Sequence, residues 1–192
     1  MDAARSGLLG RPPLCAVEVK EYHPGEGGHT GFCEEQTWST SPPNNGYHFS
    51  VHAEFKTYAD SVPYGYLVHS MEHGGVVIGY NCPGGCPGEV AMAQAWIDGW
   101  PDDPPNPDCE RVTCHPQPKR RFILAPDPRL PVRWAASAWG STWKSECLDT
   151  ASLGAYVRSG HYRQGPEDLM GEDGVDFSAF GWCPWPPPDT GK

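Results

Sequence analysis

Two histidines and a glutamate fall within five residues of one another: His69, Glu72 and His73. Imidazoles bind transition-metal ions, and a neighbouring carboxylate can orient an imidazole or move a proton. The spacing selects the backbone. In a strand, residues four apart lie roughly 13 Å from one another, too far for one ion. On a helix, i and i+4 are neighbours at about 5–6 Å between Cβ atoms. A second pair, His48 and His52, repeats the four-residue spacing upstream. Met71 lies between the first pair and carries a thioether, a donor that favours reduced copper.

The elements that must hold these groups follow from the flanking residues. Gly74 and Gly75 stop a helix, because glycine takes the left-handed C-cap conformation without strain. Residues 67–73 therefore read as a short helix, and the β-branched run Val76–Tyr80 reads as a buried strand. Further on, 89–97 reads as an Ala-rich helix, 120–125 and 131–139 as strands, and 148–156 as a helix capped by Asp149 or Thr150. Residues 15–21 alternate like an edge strand, and 159 onward is Gly/Pro-rich and weakly patterned. His23 and His29 sit in a Gly-rich stretch and read as solvated loop histidines. The expected fold is α+β: one domain with a small central sheet, short helices and long Pro/Gly-rich loops, braced by disulfides. The domain spans 14–192, after a flexible leader at 1–13.

Composition narrows the classes. The 192 residues include 22 Pro and 23 Gly, nearly a quarter of the chain, which excludes a helical bundle. No apolar run approaches the ~18 residues of a membrane span. The net charge of −10 and the single basic cluster Lys119-Arg120-Arg121 argue against nucleic acid. The eight cysteines point to disulfides and an oxidising compartment. Local pairing would join 15–33, 82–86, 109–114 and 147–183. Zinc is the rival use, since Cys82-x3-Cys86 and Cys109-x4-Cys114, with His115 adjacent, have ligand-like spacing. Residues 1–10 have no apolar signal-peptide core. Either the chain is a processed piece of a secreted or periplasmic protein whose signal peptide has been removed, which is the expectation, or it is intracellular.

Four motifs occur in order: Pro42-Pro43-Asn44-Asn45-Gly46-Tyr47-His48; Val68-His69-Ser70-Met71-Glu72-His73-Gly74-Gly75-Val76-Val77-Ile78; Phe122–Pro128 with Ala138-Trp139-Gly140; and Gly165-Pro166-Glu167. Together they resemble the bacterial domain of unknown function 3105, over roughly residues 41–167. The resemblance implies the family fold and carries over His48, His69, Glu72 and His73, with no established activity. It does not carry His52 or most cysteines, and Met71 stands where the family signature has leucine.

The functional expectation is a transition-metal site, copper ahead of zinc. Its ligands are His48, His69 and His73, with His52 and Met71 as optional additions. Glu72 is an orienting group or, if there is chemistry, the acid/base residue; an open coordination position would make a copper redox enzyme. His69-x-x-Glu72-His73 also fits the inverted zincin order, in which the glutamate is a general base on zinc-bound water. That gives a zinc hydrolase as one alternative, although Gly74-Gly75 ends the helix at once. The other alternative is a metal-free secreted module recognising an unidentified small molecule or peptide. The segment Trp182-Cys183-Pro184-Trp185-Pro186 would then be an exposed aromatic surface, against core filling as the plainer use of the aromatics. Met92 and Met170 read as packing residues.

Overall fold

The computed structural model describes residues 15–23, 25, 27–104, 119–167 and 174–183. The leader at 1–13, the 109–114 cysteine pair, His115, Met170 and Trp185 lie outside them. Among the described residues, the strands and α-helices form one α+β domain: β1 (Val17–Glu21), β2 (Gly28–Thr30), β3 (Tyr47–Phe49), α1 (Tyr64–Glu72), β4 (Val76–Tyr80), α2 (Pro87–Asp98), β5 (Phe122–Pro126), β6 (Trp134–Ala138), β7 (Ser141–Ser145) and α3 (Thr150–Tyr156). A five-stranded sheet runs β1-β7-β6-β4-β5, and β2 and β3 make a separate parallel pair. Within the large sheet β4 and β5 are parallel and every other neighbour is antiparallel.

The pattern of β4 explains the layers. All of Val76, Val77 and Ile78 are buried, so this strand is covered on both faces. Val76 and Ile78 pack with Phe122 and Leu124 against Ala93 and Ile97 of α2 and Leu153 and Tyr156 of α3. Val77 points the other way, with Ile123 and Ala125, toward Tyr66, Leu67, Val68 and Met71 of α1. The sheet is thus sandwiched: α2 and α3 on one face, α1 with the β2–β3 pair on the other. Asp149 caps α3 by accepting from the backbone N–H groups of Ala151 and Ser152.

Among the described residues, three bridges close the domain. Cys82 and Cys86 pair as expected, with Cα atoms 5.9 Å apart. The other two differ from local pairing: Cys15 joins Cys147, and Cys33 joins Cys183. The reason is topological. β1 lies antiparallel to β7 with Val17 opposite Ser145, which carries Cys15 to Cys147. The segment after α3 returns to α1, where Trp182 accepts from the Tyr66 hydroxyl at 2.6 Å beside Cys33. Trp182 packs on Tyr58 and Tyr66, with ring centroids 5.3 and 5.0 Å away, so its indole is core filling and not an open surface. Among the described residues no helix is long and apolar enough to cross a membrane. Of the basic run, Arg121 is buried and donates to the His73 carbonyl.

Candidate metal centre

Helix α1 carries the central groups. It begins after Pro63, which cannot donate a backbone N–H and so suits a helix start. It ends in a Schellman motif: Gly75 N–H bonds to Ser70 O and Gly74 N–H to Met71 O, both at 2.9 Å. Gly74 adopts φ +77°, the left-handed value this turn requires. His73 is the C-cap residue, and its ring comes level with that of His69 one turn earlier. The two Nε2 atoms are 2.9 Å apart. For metal–nitrogen bonds of 2.0–2.1 Å, ligands of one ion stand roughly 2.9–3.4 Å apart at angles from 90° to tetrahedral.

The β2–β3 pair supplies two more imidazoles. Parallel pairing sets His29 directly across from His48, and their ring centroids are 5.1 Å apart. His48 Nε2 lies 2.9 Å from Glu72 Oε2, His29 Nε2 3.6 Å, and His69 Nε2 3.9 Å. A sixth donor comes from the segment after α3: Glu167 Oε2 is 3.6 Å from His73 Nε2. Its backbone N–H bonds to Glu72 O, and Arg163 N–H to Gly74 O, so the segment lies across the end of α1. Gly165 makes this approach possible, since a Cβ there would collide with the Glu72 carbonyl oxygen.

The outer nitrogens of the rings decide which atoms face inward. His48 Nδ1 donates to Gly46 O at 2.8 Å, His69 Nδ1 to Phe49 O at 2.6 Å, and His52 Nδ1 to Ala53 O at 2.9 Å. A carbonyl only accepts, so each Nδ1 carries a proton and each Nε2 is the ring nitrogen turned away from the backbone. This is how metal-ligating histidines are held: the non-ligating N–H is tied to a carbonyl, which fixes tautomer and ring plane. His69 Nε2 therefore faces His73 Nε2 as an acceptor, and buried His73 Nδ1 has no partner.

Electrostatics keep the His69 and His73 rings neutral. Burial pushes His69 down to about 3, helped by the imidazoles around it. Burial likewise pushes His73 down to about 2, aided by His52, His69 and Arg121. For Glu72, burial acts to raise the carboxyl, but the His48 hydrogen bond and nearby imidazoles outweigh it and hold it below its ordinary value. A neutral imidazole and an ionised carboxylate are the forms that bind a cation.

The donors form two groups, each with ligand atoms within 4.8 Å of one another: His29, His48, His69 and Glu72; and His69, His73 and Glu167. Of the expected ligands, His48 and His73 fall in different groups, and His69 is common to both. His52 is buried and its ring lies 4.7 Å from that of His73, but it belongs to neither group. Met71 lies in the apolar core. At 1% exposed it packs among Val68, Val77 and Ala125, because two residues along a helix is over half a turn from His69. His29 corrects the expectation of a solvated loop histidine: it is on a strand, with its side chain 48% exposed, at the edge of the cluster. Glu167 was visible only as the end of a motif. No periodicity marks it, because its role depends on a turn far along the chain.

A family model described as a protein of unknown function (DUF3105) matches residues 29–174. The chain is a member of that family. The matched span opens at His29 and includes Glu167, so it contains every donor of both groups. It reaches further toward the N-terminus than the motifs from residue 41 suggest. The chain matches no curated protein and no solved structure.

Proposed function

We propose that this DUF3105 protein binds a divalent transition metal through the histidine–glutamate cluster centred on His69, in an oxidising extracytoplasmic compartment. The observation that carries the reading is the set of Nδ1–H bonds to backbone carbonyls, which turn Nε2 of His48 and His69 inward beside Glu72 and His73. These bonds hold both ring planes and leave Nε2 as the atom that each ring offers to the cluster. The donor atoms are nitrogen and carboxylate oxygen, a set that suits copper(II) or zinc, and copper binds such sites more tightly. With Met71 in the apolar core, the thioether argument for reduced copper falls away.

Glu72 is a ligand or the direct partner of His48 in this reading. A zincin glutamate instead stands off the metal to take a proton from bound water. Its 2.9 Å contact with His48 Nε2 and the end of α1 at the same residue favour binding over that hydrolytic role. The disulfides fit the compartment.

The test is metal content by elemental mass spectrometry on tag-free protein, beside His69→Ala/His73→Ala and a conservative His48→Asn variant. Circular dichroism checks that each variant is folded. Stoichiometric copper or zinc in the parent, lost in folded variants, is the expected result. A folded parent that is empty and refuses added copper and zinc overturns the reading.

A further inference from the structure

The donor residues exceed what one ion can use. Two donors on the same ion, each at about 2.0–2.2 Å, stand at most roughly 4.4 Å apart. The six donors do not merge into one group even at 4.8 Å; they divide into two that overlap only at His69. His69 cannot serve both. Its Nδ1 is committed to Phe49 O, and the single lone pair on Nε2 binds one ion.

Geometry assigns that lone pair. His69 Nε2 is 2.9 Å from His73 Nε2 but 3.9 Å from Glu72 Oε2. Giving His69 to the His73 side leaves two sets of the same composition, each with two imidazoles and one carboxylate. One is His29, His48 and Glu72; the other is His69, His73 and Glu167. Each set has one solvent-facing ligand, His29 or Glu167, with side chains 48% and 43% exposed. Each therefore has its own side open to incoming ions. Glu72 has two carboxylate oxygens and stands at the boundary between the sets.

We propose that the cluster is a dinuclear centre, with one ion held by His29, His48 and Glu72 and a second by His69, His73 and Glu167. The proposal rests on the metal-binding reading above. Adjacent ions in two-metal sites stand about 3.5–4 Å apart and act together on one bound group. Each set of three ligands leaves positions open for such a group.

Copper(II) is the probe, because it binds nitrogen–oxygen sites most tightly among the divalent ions. The full chain, stripped by chelator, is titrated with copper(II) chloride, desalted and counted by elemental mass spectrometry. Electron paramagnetic resonance is recorded at each step. The expected result is two equivalents, with an isolated copper(II) signal at the first and a broadened or lost signal at the second as the neighbouring spins couple. Glu167→Gln, a conservative change at an exposed side chain, should weaken the second equivalent at least tenfold and restore the isolated signal. His29→Ala should weaken the other equivalent and leave the His73 side filled. One equivalent at saturation, or two with no coupling, overturns the dinuclear centre while the metal-binding reading stands. No bound copper overturns both.

Discussion

The hydrogen bonds from Nδ1 of His48, His52 and His69 to Gly46, Ala53 and Phe49 fix ring planes in a buried place, and burial there disfavours the charged forms of His69 and His73. The consequence for pH has a definite sign. His69 and His73 have folded values near 3 and 2, against about 6.5 when unfolded. The unfolded chain therefore binds more protons than the folded one below pH ~6.5. Stability from these groups is complete above that pH and is lost as the pH falls, by up to about 1.4 kcal/mol per unit for each histidine. Thermal melts of metal-free protein between pH 7.5 and 5 should show a falling midpoint, and a flat profile would show that the rings take up protons in the fold as readily as in the unfolded chain. Met71 gives a second test at this scale. Met71→Leu should leave metal content unchanged and cost less than about 1.5 kcal/mol, as volume-conserving core swaps do. Loss of metal in that variant would return the thioether to the ligand shell. The i, i+4 spacing of His69 and His73 was legible in the sequence because helix geometry alone brings them together. The same spacing in His48 and His52 was misleading. Those residues lie on and beyond a three-residue strand, where only His48 reaches a donor group.

At the scale of elements, the site depends on where α1 stops. The Schellman turn presents His73, and the Gly165–Glu167 segment closes over it. Gly165→Ala should force that segment away from the Glu72 carbonyl, costing about 1–3 kcal/mol as overpacking does. Copper affinity on the Glu167 side should fall with it. Denaturant unfolding and copper titration of the variant check both effects, and a variant indistinguishable from the parent would show the close approach to be relaxed at no cost. The long elements were readable because their residues announce them: the β-branched run of β4, the Ala-rich α2, the Asp149 cap of α3. β7 was not. Its sequence Ser-Thr-Trp-Lys-Ser is mostly polar, yet Ser141, Thr142 and Ser145 are buried along with Trp143. The β2–β3 pair was also hidden, since a parallel pairing of three residues leaves almost no local pattern. His29 reaches the cluster only through that pairing.

Across the whole molecule, both ends of the described chain are tied into the middle. The Cys33–Cys183 bridge spans 150 residues and anchors the segment that packs on α1. A loop of that length corresponds to about 5 kcal/mol in the chain-entropy account. Cys33→Ser/Cys183→Ser should lower unfolding free energy by roughly 2–5 kcal/mol in denaturant titrations. An unchanged midpoint would show that packing around Trp182 suffices alone. The pairing was not deducible from spacing, because strand order decides which cysteines meet.

β1 adds a different consequence. It is the outermost strand of the large sheet, all five of its residues are exposed, and Cys15–Cys147 fastens its start to the end of β7. Glu18 and Lys20 put charge on this rim, a common guard against edge-to-edge association. If that fastening is cut, a weakly buried strand is free to peel away, and β7 then offers a bare ladder of amide and carbonyl groups to any neighbouring chain. Cys15→Ser/Cys147→Ser should therefore raise the protein's tendency to self-associate, seen as concentration-dependent light scattering below the unfolding temperature. The staple at the rim would then serve chiefly to keep one molecule from recruiting the next.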